Sequence, residues 1–346
     1  MKTELLDYPL PDALIARHPP HERDGGRLLV LDGARRTHHS VRDFAELVPE
    51  GALVVLNASR VRRARVFGQR RPGGGRVELL FLEQSGRSED GRERWAAIGR
   101  ASKPLRPGVV IEAEGLEVEV AANDAGSLTL LARANEPLET LLDRIGHVPL
   151  PPYLGRGDEP EDVERYQTVY AERTGSVAAP TAGLHLTEAM LARMRARGVD
   201  VHRLELAVGI GTFRPVSAED LDAHPMHEER FSVSAALVRA VAETKARGLP
   251  VVAVGTTVVR ALESAAASGE LVACEESTRL LIQPGYRFRV VDSLLTNFHQ
   301  PKSTLLALVA AFAGYDAVMA AYAEAIEQKY RFLSYGDAMF IPRRAS

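Results

Sequence analysis

The feature that most constrains the fold is a change of texture along the chain. Between about residues 61 and 148, short alternating apolar segments follow one another with little helical periodicity, separated by Gly, Pro, Asn and Asp. Before and after this stretch, buried-strand patterns alternate with helix patterns. Short strands at such spacing are typical of a small barrel or sandwich, and strands alternating with helices are typical of an α/β unit. The sequence therefore predicts an α/β domain interrupted by a small all-β domain.

The predicted boundaries are 1–60 and 149–346 for the α/β domain and 61–148 for the insertion. Strands of the insertion are expected at 77–83, 94–98, 109–113, 116–121 and 127–133. Strands of the α/β domain are expected at 27–32, 52–56, 200–208, 251–254, 279–282 and 288–291. Helices are expected at 41–47, from 187 to Gly198, from 234 to Gly248, from the turn Gly255-Thr256-Thr257 through Ala267, at 305–312 and at 316–328.

Composition excludes several classes of protein. The 346 residues are 45% hydrophobic and 26% charged, as in soluble globular chains. No apolar run approaches the ~20 residues of a membrane span, and the N-terminus lacks the pattern of a signal peptide. A single cysteine, Cys274, excludes an internal disulfide and a cysteine-cluster metal site. We expect a cytoplasmic, monomeric protein without membrane contact.

The net charge of −3 does not by itself indicate a nucleic-acid-binding protein. One local run does carry positive charge, because residues 60–76 contain seven Arg and no acid. This run predicts either an ordinary hydrated strand face or a surface for RNA phosphates. Ten of the twenty aromatic residues fall between Tyr286 and Phe340, which suits either a buried core or stacking on bases.

A dense polar cluster, TNFHQPKST at 296–304, precedes the apolar run 305–312. Ser303 or Thr304 is predicted to cap a helix there, and the helix dipole together with Lys302 favours an anion. Only five of the 43 basic residues are Lys, so Lys302 suggests a requirement for a compact charge. An ordinary capped helix with an exposed Lys would give the same pattern.

Three turns rich in Gly and hydroxyl groups follow strand patterns, at 180–187, 208–215 and 254–260. Such turns allow a nucleoside to approach the backbone closely, although simple turns have the same composition. Neither a Walker loop nor a complete dinucleotide fingerprint is present. His185 follows the first turn as a candidate base or anchor, although a structural role would also explain it. The spacing in HPMHEE, 224–229, fits no standard metal site, and no metal is expected.

Taken together, these stretches resemble one family, the S-adenosylmethionine:tRNA ribosyltransferase-isomerases of the queuosine pathway. The matching segments are RDGGRLLV, NASRV, ERYQTVYAERTGSVAAPTAGLHLT, VGIGTFRPV, MHEE, VGTTVVRALES, QPGYRF, DSLLTNFHQPKSTLLALVAAFAG and YRFLSYGDAM. They follow the order of the family and cover nearly the whole chain. The resemblance implies an α/β catalytic domain interrupted by a small β-barrel.

The resemblance also implies an unusual reaction, in which the ribosyl part of S-adenosylmethionine moves onto 7-aminomethyl-7-deazaguanine at the wobble position of a tRNA. The products would be epoxyqueuosine-tRNA, adenine and methionine. S-adenosylmethionine is then a co-substrate, and no bound cofactor or metal is implied. A base would remove a proton beside the sulfonium, adenine would leave with the help of a donor, and an alkoxide would expel methionine.

The residues expected to carry this chemistry fall into three groups. The catalytic candidates are His185, which leads as the base, with Asp337, Lys302 and His299. The candidates for binding S-adenosylmethionine are Gly209, Gly211, Thr212, Gly255, Thr256, Thr257 and Arg260. The candidates for binding the tRNA or its base are Asn57, Arg60, Lys103, Asn297, Tyr286 and Arg331.

Three positions depart from the family pattern. Ala58 stands where the family has Asp, Leu186 where it has Phe, and Ala207 where it has His. These changes leave open a divergent enzyme that acts on another RNA or nucleoside. The sequence also leaves open an S-adenosylmethionine-dependent methyltransferase and a non-catalytic RNA-binding module.

Overall fold

The structure, a computed structural model, describes residues 1–124, 126–209, 216 and 218–344. Its strands are β1 Arg27–Asp32, β2 Arg35–Ser40, β3 Leu53–Asn57, β4 Arg60–Val61, β5 Arg65–Arg71, β6 Arg76–Arg87, β7 Glu93–Ala101, β8 Val110–Ala113, β9 Leu116–Asp124, β10 Ser127–Ala134, β11 Thr174–Ser176, β12 Asp200–Leu206, β13 Glu229–Val233, β14 Val251–Val254, β15 Cys274–Thr278, β16 Ser293–Asn297 and β17 Ala338–Ile341. Its α-helices are α1 Phe44–Leu47, α2 Leu138–Ile145, α3 Asp162–Arg165, α4 Glu188–Ala196, α5 Ala235–Ala246, α6 Thr256–Ala265, α7 Thr304–Ala313 and α8 Tyr315–Glu327.

The described strands of the α/β part form a nine-stranded sheet in the order β15-β13-β12-β3-β14-β16-β17-β1-β2. The central strands β12, β3, β14 and β16 are parallel to one another, and antiparallel pairs extend the sheet on both sides. Buried residues pack on both faces of the sheet, as expected for central strands that are apolar throughout.

Strands β5 to β10 close into a six-stranded antiparallel barrel. Its core contains Phe81 and Trp95, whose rings meet edge to face, and helix α2 adds Leu138, Leu141 and Leu142 to that core. The predicted fold class, an α/β domain interrupted by a small all-β barrel, is confirmed. The sequence prediction missed helix α2, because eight residues are too short for a clear helical period.

Two predicted strands are wrong. Residues 279–282 form no strand because Leu280 N–H donates to the hydroxyl of Thr278, 3.0 Å away, where strand β15 ends. Residues 288–291 form no strand because the side chain of Glu263 in α6 accepts hydrogen bonds from their backbone N–H groups. Its fully buried carboxylate accepts hydrogen bonds from the N–H groups of Arg289, Val290 and Val291 at 2.8–3.0 Å. The buried carboxylate thus provides the hydrogen-bond acceptors that the carbonyl groups of a neighbouring strand would otherwise provide.

Several predicted helix ends agree with the structure. Ser303 caps α7, since its Oγ accepts the Leu306 N–H at 3.2 Å, and Gly314 ends that helix with φ of 89°. Ser234 likewise caps α5. No single helix in the described ranges is long and apolar enough to cross a membrane. The bent pair α7 and α8, 114° apart, passes the same length and composition criteria.

Candidate active site

The candidate site lies where the four parallel strands end. Asn57 ends β3, Val208 follows β12, Gly255 follows β14, and Asn297 ends β16. Carboxyl ends of parallel strands share one edge of a sheet, and open α/β sheets bind ligands in the crevice outside that edge. The topology therefore brings together the Gly/Thr turns and the polar cluster that are distant in sequence.

A narrow cavity of about 60 Å³ opens at this edge. It lies between the N-terminal ends of α6 and α7, and hydroxyl groups dominate its polar lining. The polar lining residues are Tyr153, Thr181, Thr256, Thr257, Thr296, Asn297, His299, Gln300, Ser303 and Ser334. Gly255 precedes α6 with φ of 96°, a conformation that favours glycine, and a methyl group on it would lie 3.6 Å from Ala182 Cβ and 3.7 Å from Thr257 Oγ1.

Asn297 connects this cavity to a buried imidazole. Its Nδ2 lies 3.1 Å from His185 Nε2 and 3.3 Å from the Leu333 carbonyl oxygen, whereas its Oδ1 is buried without a hydrogen-bond partner among the described residues. Buried polar atoms are nearly always hydrogen-bonded, and an exception at a cavity wall indicates a position for a ligand donor. Asn297 Oδ1 is therefore a binding group of the candidate site.

His185 lies behind Asn297 and does not line the cavity. Burial lowers its pKa from 6.5 to about 4; Asp337 opposes this shift and Arg23 adds to it. The imidazole is thus neutral at pH 7, and its Nε2 accepts the Asn297 amide hydrogen. Asp337 borders the same region, because a methyl group at Gly26 would lie 3.4 Å from Asp337 Oδ1 and 3.8 Å from His185 Nδ1. Both Asp337 oxygens accept backbone N–H groups, from Arg27 and Arg331.

His299 is the imidazole that lines the cavity. Its Nε2 lies 2.8 Å from Thr296 Oγ1, its backbone N–H donates to the Tyr322 hydroxyl at 2.9 Å, and its carbonyl oxygen accepts the Tyr8 hydroxyl. Burial lowers the pKa of His299 to about 4, so it too is neutral at pH 7. Two tyrosines thus hold its backbone while the ring faces the cavity.

Asn57 supports the cavity from within the protein. It is fully buried, and its side-chain amide makes four hydrogen bonds. Nδ2 donates to the Leu206 carbonyl and Thr257 Oγ1, and Oδ1 accepts from the N–H groups of Ser59 and Leu206. Asn57 therefore fixes Thr257 against strand β12, and a direct contact with RNA stays a prediction.

Lys302 lies apart from the cavity. Its Nζ is 2.7 Å from Asp7 Oδ2, and both side chains are about half exposed. Its backbone N–H donates to the Leu6 carbonyl, and its φ is 52°. The structure thus brings His185, Thr256 and Asn297 together and leaves the Lys302 ammonium on the surface, where its predicted catalytic role has no contact to support it.

A second, larger cavity of about 670 Å³ lies between the barrel and the edge of the sheet. Val208 lines both cavities. At its inner wall, Glu229 is 5% exposed and forms an ion pair with Arg260 of α6, while Glu229 Oε1 accepts the Gly209 N–H at 3.2 Å. Both carboxylates of the motif HPMHEE are therefore in ion pairs, because Glu228 pairs with Arg279. Among the described residues no cluster of His, Cys, Asp and Glu is arranged for a metal ion.

The remaining predicted residues are scattered. Arg60 is exposed beside β11, and Lys103 is exposed on the barrel. Tyr286 packs on Phe288 and faces Glu263, and Arg331 donates to the His18 carbonyl. Gly211 and Thr212 lie outside the described residues.

Most of the Arg run is engaged within the protein. Arg62 is 5% exposed and pairs with Glu139, Arg63 binds two backbone carbonyls, and Arg65 pairs with Glu78. Arg71 pairs with Glu112. Arg60 is exposed, and its guanidinium donates to the Ala171 carbonyl oxygen at 3.3 Å. Glu229 is a further candidate residue that the sequence analysis did not assign to the site, and its only signal was its place in the motif MHEE.

Comparisons with known proteins agree with this geometry. The family model described as "Queuosine biosynthesis protein" matches residues 3–341. An S-adenosylmethionine:tRNA ribosyltransferase-isomerase of Sorangium cellulosum is 52% identical over 99% of this chain and 98% of its own. One of Anaeromyxobacter dehalogenans is 48% identical, with 99% and 100% covered. The crystal structure of S-adenosylmethionine tRNA ribosyltransferase from Thermotoga maritima aligns with a TM-score of 0.56 and 34% identity, over 97% of this chain and 99% of that one.

Proposed function

The chain belongs to the queuosine biosynthesis family, and on that premise we propose how its site carries out the family's reaction. The enzyme transfers and isomerises the ribosyl part of S-adenosylmethionine onto 7-aminomethyl-7-deazaguanine in tRNA, with release of adenine and methionine. It is a transferase that consumes S-adenosylmethionine as a co-substrate. Neither the family nor the relatives favour a methyltransferase. We further propose that it acts as a monomer, and in the cytoplasm, where its tRNA substrate is found.

The observation that carries the assignment of the site is the unpartnered Oδ1 of Asn297 beside the hydroxyls of Thr256 and Thr257. S-adenosylmethionine offers three kinds of donor to these acceptors: the ribose hydroxyls, the methionine ammonium and the 6-amino group of adenine. The narrow cavity is too small for the whole molecule. One end of S-adenosylmethionine would enter between the N-terminal ends of α6 and α7, and the rest would extend toward Val208, where the two cavities adjoin.

Catalysis in this site rests on positioning and electrostatics, since two large substrates must be aligned. Removal of a proton from the carbon beside the sulfonium requires an unprotonated base, and His299, which lines the cavity, is unprotonated at pH 7 because burial lowers its pKa to about 4. His185 and Asp337 act through Asn297: the imidazole accepts the Asn297 amide hydrogen and so fixes the direction of Oδ1. His185 is thus a positioning residue in this proposal, because it lies behind Asn297 and, unlike His299, does not line the cavity.

The other roles carried over from the sequence rest on fewer contacts. Gly255, Thr256 and Thr257 would hold S-adenosylmethionine, with Gly209 beside the larger cavity. Arg260 as a ligand of the methionine carboxylate stays a prediction, because its guanidinium is already paired with Glu229. Arg60, Lys103 and Arg331 would contact the RNA backbone, to which exposed cations contribute most of the affinity.

Product analysis tests the function. The enzyme is incubated with S-adenosylmethionine and a tRNA that carries 7-aminomethyl-7-deazaguanine, and the products are separated by chromatography and mass spectrometry. We expect equal amounts of adenine, methionine and modified nucleoside. S-adenosylhomocysteine in place of adenine would indicate methyl transfer. Turnover with an RNA that lacks the aminomethyl base would indicate a divergent substrate, to which Ala207 at the wall of the larger cavity would contribute.

A further inference from the structure

The larger cavity has the dimensions and lining of a base-binding pocket. Its volume of about 670 Å³ lies within the range of pockets that enclose small organic ligands. Apolar side chains line it from both domains, including Leu82 and Ile98 of the barrel and Val177 and Val208 of the α/β part. Enzymes that act on a base hold it, out of its stack, between apolar side chains and read its edge with hydrogen bonds.

Glu229 is the fixed acceptor in this pocket. Its carboxylate is buried, with Gly209 N–H on Oε1 and the Arg260 guanidinium on Oε2, so its charge is balanced and its direction is set. An ionised carboxylate has about four acceptor positions, of which the Gly209 N–H occupies one, and Oε2 accepts no hydrogen bond among the described residues although it is ion-paired with Arg260. The positions that remain suit a ligand with two adjacent donors.

A guanine-type base has such a pair of donors, the ring N1–H and the 2-amino group, and an adenine-type base does not. The modified base 7-aminomethyl-7-deazaguanine keeps this edge unchanged, because its substituent is at position 7. We propose that the interdomain cavity receives this base from the tRNA and that Glu229 reads its N1–H and 2-amino edge. The proposal rests on the proposed function, and it adds the pocket and the residue that select the base.

The position of the pocket agrees with the reaction. Val208 belongs to the walls of both cavities, so a base held by Glu229 and a co-substrate held at Thr256 and Asn297 would meet at that residue. Arg230 and Glu83, one from each domain, form an ion pair that also lines this cavity. The base would therefore sit between the barrel and the sheet, with its aminomethyl group toward the narrow cavity.

The test combines one change in the protein with one change in the RNA. Two anticodon stem-loops of the same sequence carry either 7-aminomethyl-7-deazaguanine or its counterpart without the 2-amino group. Rates of adenine release give kcat/KM for the parent enzyme, Glu229→Gln, Glu229→Asp and the control Glu275→Gln, an exposed carboxylate on the neighbouring strand β15. Equilibrium binding of S-adenosylmethionine is measured for each protein, and circular dichroism checks that each is folded.

We expect the parent and Glu275→Gln to lose roughly 10- to 100-fold in kcat/KM when the 2-amino group is removed, the value of one good base-edge contact. In Glu229→Gln this difference should fall below about threefold, with binding of S-adenosylmethionine unchanged, and Glu229→Asp should retain part of it. Equal loss on both RNAs in Glu229→Gln, or no loss in the parent, would overturn the proposal. Because the parent alone can fail this comparison, the proposal can be overturned even if the variants do not fold. Absence of adenine release from the parent would instead count against the proposed function.

Discussion

The side-chain amide of Asn297 donates to Nε2 of His185 across 3.1 Å, between residues 112 positions apart in the chain. This bond requires an unprotonated Nε2, which agrees with the lowered pKa of His185. It also leaves Asn297 Oδ1 as the atom available at the cavity wall. In the proposed site, His185 therefore acts through Asn297 and does not itself line the cavity.

Replacement of His185 tests its role in positioning. His185→Ala removes the acceptor of the Asn297 amide, and we expect kcat to fall roughly 10- to 100-fold, the cost of an unsatisfied buried group. His185→Gln offers an amide oxygen in place of Nε2 and should recover much of the loss, with the pH profile of kcat unchanged. If Gln and Ala are equally inactive and the acid limb of the profile disappears, His185 is the base.

Removal of the Asn297 carbonyl should affect chemistry directly. For Asn297→Ala we expect adenine release to slow at least ~100-fold, because both the ligand acceptor and the contact with His185 are lost. Asn135→Ala, an exposed position in the insertion, is the matched control and should retain full activity. Steady-state assays under saturating S-adenosylmethionine measure the effect. A loss confined to KM for the tRNA would place Asn297 outside the reacting centre.

The two buried histidines predict a pH dependence of stability. The pKa values of His185 and His299 are both about 4 in the folded chain and about 6.5 when unfolded, so the unfolded state binds more protons between these values. Each histidine should therefore make its full contribution to the free energy of unfolding above about pH 6.5. This contribution should be lost as the pH drops toward 4, and it amounts to on the order of 3 kcal/mol for each residue.

Urea unfolding at several pH values measures this slope. His185→Asn should reduce it, whereas the exposed control His21→Asn should leave it unchanged. An unaltered slope in His185→Asn would show that this imidazole is not kept neutral by folding.

Asn57 should contribute to both stability and ligand binding. Asn57→Ala leaves the Leu206 and Ser59 backbone groups unsatisfied in the interior, and we expect a loss of about 2–4 kcal/mol in the free energy of unfolding. Because Thr257 loses its partner, the affinity for S-adenosylmethionine should also fall. Calorimetric titration measures that affinity, and a variant with normal affinity would separate Asn57 from the site.

The Arg run offers an exposed residue, Arg60, and a buried one, Arg62, for a test of RNA binding. Arg60→Ala should reduce the slope of log Kobs against log salt by about one unit if its exposed guanidinium binds a phosphate. Arg62→Ala should leave the slope unchanged and lower stability instead, because Arg62 is buried against Glu139 and Trp95. The reverse pattern would show that the run faces the tRNA differently.

Particular residues explain how much the sequence could predict. Helix caps such as Ser303 and the hydrophobic periodicity of strands and helices depend on neighbouring residues in the sequence. These local signals predicted the fold class and the ends of most helices and strands. Thr256 and Asn297 then lie close together at the carboxyl ends of parallel strands, as the sequence motifs suggested. Contacts between distant segments could not be read locally. Glu263 turns a strand-like segment into a loop, Asp7 engages Lys302, and Arg260 engages Glu229 over 31 positions of sequence.

The most direct test of the site is a crystal structure of the enzyme with S-adenosylmethionine bound. The proposed arrangement predicts ligand density between Gly255–Thr257 and Asn297–His299, with Asn297 Oδ1 within hydrogen-bond distance of a ligand donor and the ribose near Val208. Density for S-adenosylmethionine at another edge of the sheet, with this cavity unoccupied, would contradict it.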